Sequence, residues 1–305
     1  MIWIHAITPL HVGAGKGVGF IDMPITREKV TGWPYIPGSA IKGVIRDHMS
    51  TRGDEKQKEH DLINTAFGKD ANEKDTNGKD TDEELLNSGS LVFTDAHIAL
   101  FPVRSLYGTF AYVTCPFVLQ RLSLDMKNCG YSNLPAVPHV SENDALVPHD
   151  ACTAYENRIF FEDLDFSAKK SENADEWAKH FAHEIFRVTE TDASQSGYAE
   201  SLMKRFVIVS DDVFSFLSTM GTDVSAHIRI DQKKKVVERA ALWYEESLPS
   251  EAVLTGMVWC DRIYGKQELK SQELLNLYCS KPLRLQIGGK ATVGKGIVSC
   301  QFSGV

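Results

Sequence analysis

The chain has 305 residues, 43% of them hydrophobic and 10% aromatic, which is enough to bury a substantial core in one elaborated domain or two and excludes an intrinsically disordered chain. A formal net charge of -8 counts against a freestanding nucleic-acid binder, although the distribution of charge matters more than its sum. No apolar run approaches membrane-spanning length, MIWIHAITPL lacks the basic and apolar regions of a signal peptide, and Cys115, Cys129, Cys152, Cys260, Cys279 and Cys300 form no C-x-x-C pair, so a cytoplasmic protein with buried thiols is expected.

Residues 1–8 read as a strand, and HVGAGKGVGFID then places glycine at 13, 15, 17 and 19. The dinucleotide fingerprint G-x-G-x-x-G fails there, because the sixth position is Val18 counted from Gly13 and Phe20 counted from Gly15. After the proline loop WPYIPGS, Ser39 is a good N-cap for a helix over 40–49, with Ile41, Val44, Ile45 and His48 at helical spacing. Lys42 and Arg46 share the neighbourhood of that helix N-terminus, a place for an anion to dock. The residues alone favour the plainer reading of a capped surface helix. Residues 52–90 mix both signs of charge with Asn, Gly and Thr, and their second half reads as a solvated insertion.

Strand-like segments follow at 91–100 and 108–116, then helices at 117–127 and 174–186. Within the second helix HFAHE has the wrong order for H-E-x-x-H or H-x-x-E-H, which leaves exposed helix polar residues as the better account. The last third, from 206, is rich in strands. Segments 226–231 and 236–244 form a hairpin with a basic tip, and segments 283–287 and 297–302 are linked by GGKATVGKG. That link nearly matches a P-loop, but Gly296 stands where magnesium needs a hydroxyl, and no helix has room to follow. Glycine and lysine together nonetheless suit phosphate contact. The element pattern predicts an α+β fold.

The ordered set TPLHVGAGKGVGFIDMPITREKVTGWPYIPGSAIKGVIRD, SGSLVFTDAHIALFPVRSLYGTFAYVTCP, ALWYEESLP and IGGKATVGKG resembles the RAMP-superfamily backbone subunit of type III-B CRISPR (Cmr) effectors over nearly the whole chain. The resemblance implies a ferredoxin-like, RRM-like palm with helical insertions and a β-hairpin thumb. A single domain over 1–305 would then carry a charged insertion at 52–90, a helical insertion at 125–190 and the thumb at 222–248. It implies repeated copies in a helical filament along a guide RNA (crRNA), other Cmr-complex subunits as partners, no membrane, and target-RNA cleavage at regular intervals. The alternative is a crRNA-binding scaffold without catalysis. A standalone guide-processing nuclease is less favoured.

Carried onto this sequence, the resemblance makes Asp22 the acid needed for cutting. Its role is to hold a divalent metal (Mg2+ or Mn2+, bound only with RNA) or to help remove the 2′-hydroxyl proton. His11 and Glu245 are its auxiliary catalytic residues, although Ser247 replaces a tyrosine of the family pattern. Lys16, Ser39, Lys42, Arg46, Gly288, Gly289, Lys290, Gly294, Lys295 and Gly296 are expected to face RNA. Each has a plain structural reading too: a loop cap for His11, a turn former for Asp22, and an ion pair with a hairpin lysine for Glu245.

Overall fold

The computed structural model describes residues 1–15, 17, 19–50, 57–69, 88–187, 193–231, 233–264 and 269–304. It begins with β1 (Ile2–Ala6), β2 (Tyr35–Ile36), α1 (Gly38–Ser50) and α2 (Gln57–Phe67), and continues with β3 (Val92–Phe93), β4 (Ala96–Arg104), β5 (Phe110–Thr114) and α3 (Pro116–Asn128). Next come β6 (Asp144–Val147), β7 (Ala154–Tyr155), β8 (Arg158–Phe161), β9 (Leu164–Lys170), α4 (Glu172–Phe186), α5 (Ala193–Arg205), β10 (Phe206–Ile208) and α6 (Asp211–Met220). The last third holds β11 (Asp223–Ile230), β12 (Val237–Ser247), β13 (Val253–Gly256), β14 (Val258–Trp259), α7 (Ser271–Tyr278), β15 (Leu283–Gln286) and β16 (Ile297–Phe302).

The palm follows from a β-α-β-β-α-β order: β1, α1, β4, β13, α7 and then the hairpin β15–β16. Its strands lie side by side as β16-β1-β13-β4, all antiparallel, which is the ferredoxin-like arrangement. The two-residue period of β1 decides which layer each side chain enters. Ile2, Ile4 and Ala6 join Ile41 and Ile45 of α1 and Leu274 and Tyr278 of α7 in one cluster. Trp3 faces the other way, into a second cluster with Trp177, Phe181 and Ile185 of α4, and meets Phe181 edge-on at 5.8 Å. Beyond β4 the sheet continues through β5, β10, β6, β9, β8 and β7. The hairpin β11–β12 forms a separate two-stranded sheet.

Several expectations need correction. The segment 125–190 is not simply helical, because β6 to β9 lie between α3 and α4. The charged stretch 52–90 contributes α2, whose Ile63, Ala66 and Phe67 are buried in the palm core, while its residues 51–56 and 70–87 lie outside the described residues. Ser39 is not an N-cap. The helix starts one residue earlier, at Gly38, whose N–H donates to Asp95 Oδ1 at 2.8 Å, so an internal carboxylate already serves the amino end of α1. Nor is the HFAHE helix face simply exposed: Glu184 is buried and accepts from the Tyr131 hydroxyl at 3.1 Å, and burial lowers the pKa of half-buried His180. All six cysteines are free thiols, with Cys152 exposed and Cys129 half-buried.

Candidate functional site

The site is assembled on the carboxyl end of β12. The chain after β1 runs back along that strand through paired backbone bonds between Leu10 and Leu248, 2.8 and 2.9 Å. It then opens into the first glycine loop, which closes again where Ala14 N–H meets Pro24 O at 3.0 Å and Thr26 N–H meets Val12 O at 2.8 Å. Its returning limb is locked to β12, with Met23 N–H on Tyr244 O at 3.1 Å and Glu246 N–H on Met23 O at 3.0 Å. Asp22 therefore sits at the edge of β12. It is exposed, and its Oδ2 accepts from Tyr244 N–H at 2.8 Å.

Side chains alternate along β12, but Glu245, Glu246 and Ser247 are all buried, because the loops at this end wrap both faces. Glu245 receives two lysines of the second glycine loop: Lys295 Nζ on Oε1 at 2.7 Å and Lys290 Nζ on Oε2 at 3.0 Å. Lys295 also donates to Ser247 Oγ at 2.8 Å. Burial alone would raise the Glu245 pKa, but the hydrogen bonds and charges of the two lysines outweigh it and hold the group below the ordinary glutamate range. The plain structural reading of the sequence pairs Glu245 with a hairpin lysine. The observed partners come instead from the loop between β15 and β16, 45 and 50 residues further along the chain.

Glu246 points the opposite way and ties the loop limb down. Its carboxylate accepts from Ile25 N–H at 3.0 Å, Arg27 Nη2 at 2.6 Å and the Thr222 hydroxyl at 2.9 Å. Arg27 donates further to Gly32 O at 2.8 Å and Ser218 O at 3.2 Å. These residues escaped sequence reasoning, since an Arg and a Glu more than 200 positions apart carry no local signal. His11 is buried beneath both glycine loops. Its Nδ1 lies 2.6 Å from Glu246 O, and because a carbonyl only accepts, Nδ1 carries the proton of that bond. Gly13 packs over that ring, where a Cβ would come within 3.0 Å of Nε2.

The glycines of the second loop divide by purpose. Gly288, at φ 85°, would place a Cβ 2.3 Å from His11 O, and Gly296, at φ 82°, would place one 2.2 Å from Ile287 O. Both are glycine because the protein's own backbone passes there. Gly289 N–H donates to His11 O at 2.9 Å, joining the two loops. Gly294, at φ 81°, meets nothing within 4 Å and is exposed, so it alone of these four faces open space.

The structure thus brings Asp22, His11, Glu245, Gly288, Gly289, Lys290 and Lys295 around Tyr244–Ser247. Ser39, Lys42 and Arg46 stay on α1 and share no bond with that group among the described residues. Ser39 is exposed, burial lowers the pKa of Lys42, and Arg46 donates to Asn64 at 3.3 Å. Lys16 lies outside the described residues. Among those described, no three His, Cys, Asp or Glu side chains cluster as a self-sufficient metal site.

Comparison with known proteins places this geometry. The RAMP superfamily profile matches residues 3–299. The chain belongs to the RAMP superfamily. Over 98% of its length and 93% of the relative's, it is 31% identical to the CRISPR system Cmr endoribonuclease Cmr4 of Pyrococcus furiosus. The Cmr4 subunit of Saccharolobus solfataricus is 22% identical over 98% of the chain and 95% of the relative. In solved structures the fold matches oligomeric Cmr4 from Pyrococcus furiosus with a TM-score of 0.69 at 25% identity, covering 100% of this chain and 98% of that one. It also matches a chain of the type III-B Cmr-beta complex in its apo state with a TM-score of 0.70 at 24% identity, covering 98% and 95%. No helix among the described residues is long and apolar enough to cross a membrane.

Proposed function

We propose that this chain is the guide-RNA-binding backbone subunit of a type III-B CRISPR ribonucleoprotein and that, once assembled, it cuts complementary target RNA at regular intervals. The observation that carries this reading is an exposed carboxylate, Asp22, pinned by the Tyr244 N–H one residue from the carboxylate on which Lys290 and Lys295 converge. The full-length likeness to a named Cmr endoribonuclease supports it. Copies of the chain stack along the guide in the cytoplasm, beside the other subunits of the complex. Sequence is read by base pairing, and the protein grips sugar and phosphate.

In this account Asp22 accepts the proton of a target ribose 2′-hydroxyl. The 2′-oxygen then attacks the adjacent phosphorus, the bond to the 5′-oxygen breaks, and the leaving oxygen takes up a proton. The products carry a 2′,3′-cyclic phosphate and a 5′-hydroxyl. A regular A-form strand holds the 2′-oxygen out of line, so the β11–β12 hairpin acts as the thumb that distorts the strand beside Asp22. The lysines balance charge on the phosphate, and His11 fixes the two glycine loops against β12.

The donor set also bears on the metal. With no cluster of three His, Cys, Asp or Glu side chains among the described residues, the exposed Asp22 carboxylate suits Mg2+ or Mn2+ shared with RNA phosphates, and it does not suit an ion held by protein alone. Such an ion supplies Lewis-acid stabilisation of the phosphate when RNA is bound. The test is a complex reconstituted on a defined guide and given complementary RNA. Evenly spaced products with cyclic-phosphate ends are expected, whereas guide binding without cuts would mean a scaffold subunit.

A further inference from the structure

Glu245 is shared unequally among its neighbours. Lys295 is a fixed partner, bonded to both Glu245 Oε1 and Ser247 Oγ, with its side chain 17% exposed. Among the described residues Lys290 makes one ion pair, 3.0 Å to Oε2; it is 34% exposed and stands on left-handed backbone at φ 66° in the exposed loop. A third group faces the same oxygen. His227 Nε2, from β11, lies 3.8 Å from Glu245 Oε2, too far for a hydrogen bond. That nitrogen is buried and has no hydrogen-bond partner among the described residues. The ring is held in place by stacking on Trp243, with centroids 5.6 Å apart and planes 18° from parallel.

A buried nitrogen without a partner is costly, and this one is aimed at an oxygen that another cation already holds. Resting on the reading of the second glycine loop as RNA-facing, we propose that Glu245 is the pivot of a partner exchange. Without RNA its carboxylate stands in for a phosphate and parks Lys290. When a phosphodiester docks on the loop, Lys290 moves to it, and His227, with its proton on Nε2, closes by about 1 Å onto the vacated Oε2. Moving Lys290 alone would leave a buried carboxylate with a single cation; the histidine removes that penalty. Lys295 stays on Oε1 and Ser247 throughout. His227 is then a positioning residue, and RNA on the loop tightens the base of the hairpin.

The test measures affinity of the full chain for a fluorescein-labelled single-stranded RNA by anisotropy, between about 50 and about 200 mM salt. Glu245→Gln frees Lys290 and tightens binding by roughly 3- to 10-fold, because a held-back binding group lowers apparent affinity by the fraction of time it is free. Lys290→Gln lowers the salt slope by about 0.7 and abolishes that gain. His227→Phe preserves the stack and weakens binding in the wild-type chain, but has no effect when combined with Glu245→Gln, so the two positions are coupled. Unchanged or weaker binding by a folded Glu245→Gln chain overturns the exchange, as does an equal His227→Phe effect in both backgrounds. Should Glu245→Gln fail to fold, the same cycle runs on Lys290→Gln, where His227→Phe must again be silent and equal weakening overturns the proposal. If neither Lys290→Gln nor Lys295→Gln changes affinity or salt slope, the RNA-facing loop itself is refuted, an outcome distinct from failure of the exchange alone.

Discussion

Replacing Arg27 with methionine tests how the limb carrying Asp22 is held. Arg27 Nη2 bonds the buried Glu246 carboxylate at 2.6 Å, with side chains 22% and 4% exposed. Losing one partner of a buried pair costs about 3–5 kcal/mol, since the remaining charge stays desolvated. Two details favour the lower end. Ile25 N–H and the Thr222 hydroxyl still bond the carboxylate, and the partial exposure of Arg27 admits water. The estimate is therefore about 3 kcal/mol. A melting entropy of roughly 2.1 cal/mol/K per residue over 305 residues gives about 0.6 kcal/mol/K, so the melting temperature should fall by roughly 5 °C. Circular-dichroism melting measures that, and hydrogen exchange should show faster opening at the amides of Met23 and Ile25. Arg27→Lys, which keeps the charge but loses the forked contacts to Gly32 O and Ser218 O, should fall between. A drop below about 1 °C with unchanged exchange would refute the claim that this ion pair pins the loop.

Acidification offers a second test through Glu28. Burial opposes its ionisation, but hydrogen bonds from His97, Arg121 and Thr31 outweigh burial and hold its pKa far below the ordinary range. A carboxylate depressed in the fold contributes stability that is full above the unfolded value of about 4.3, declines as pH falls below it and is lost only as pH passes through the much lower folded value. The melting-temperature gap between wild type and Glu28→Gln should therefore be wide at neutral pH, start to shrink below about pH 4 and go on shrinking as the pH is lowered further; a constant gap would contradict this. The loop glycines give a third. Gly296→Ala forces a Cβ to 2.2 Å from Ile287 O and should unfold the loop, whereas Gly294→Ala, with open space around it, should cost only the left-handed strain of about 1 kcal/mol, read by melting. Equal losses at both positions would argue against the packing role of Gly296.

Much of the palm was legible because strands announce themselves locally. Alternation in IWIHA, the basic-tipped hairpin and the glycine link between β15 and β16 all fell where their patterns pointed. What escaped depends on partners distant in sequence. Ser39 looked like a cap because Asp95, which serves the end of α1, is 57 residues away from Gly38. β6 to β9 are short, and their turns run through Glu156, Asn157 and Glu162 at positive φ, so no long periodic run marks them. Glu184 has the local pattern of a surface acid, and the Tyr131 hydroxyl that it accepts from lies 53 residues away. In the site, the family resemblance supplied Asp22, Glu245 and the two lysines, but neither the lysine–glutamate contacts nor the Glu246–Arg27 tie follows from spacing. Gly288 and Gly296 read as openings for a ligand, and the protein's own backbone fills the space beside them.

The measurement that bears most directly on the whole account is cleavage by a reconstituted complex carrying Asp22→Asn in every copy. The substitution keeps the acceptor for Tyr244 N–H while removing the charge. Guide and target affinity should match wild type while regularly spaced cutting in Mg2+ or Mn2+ disappears; undiminished cuts at the same spacing would show that the carboxylate at the edge of β12 is not the one that acts.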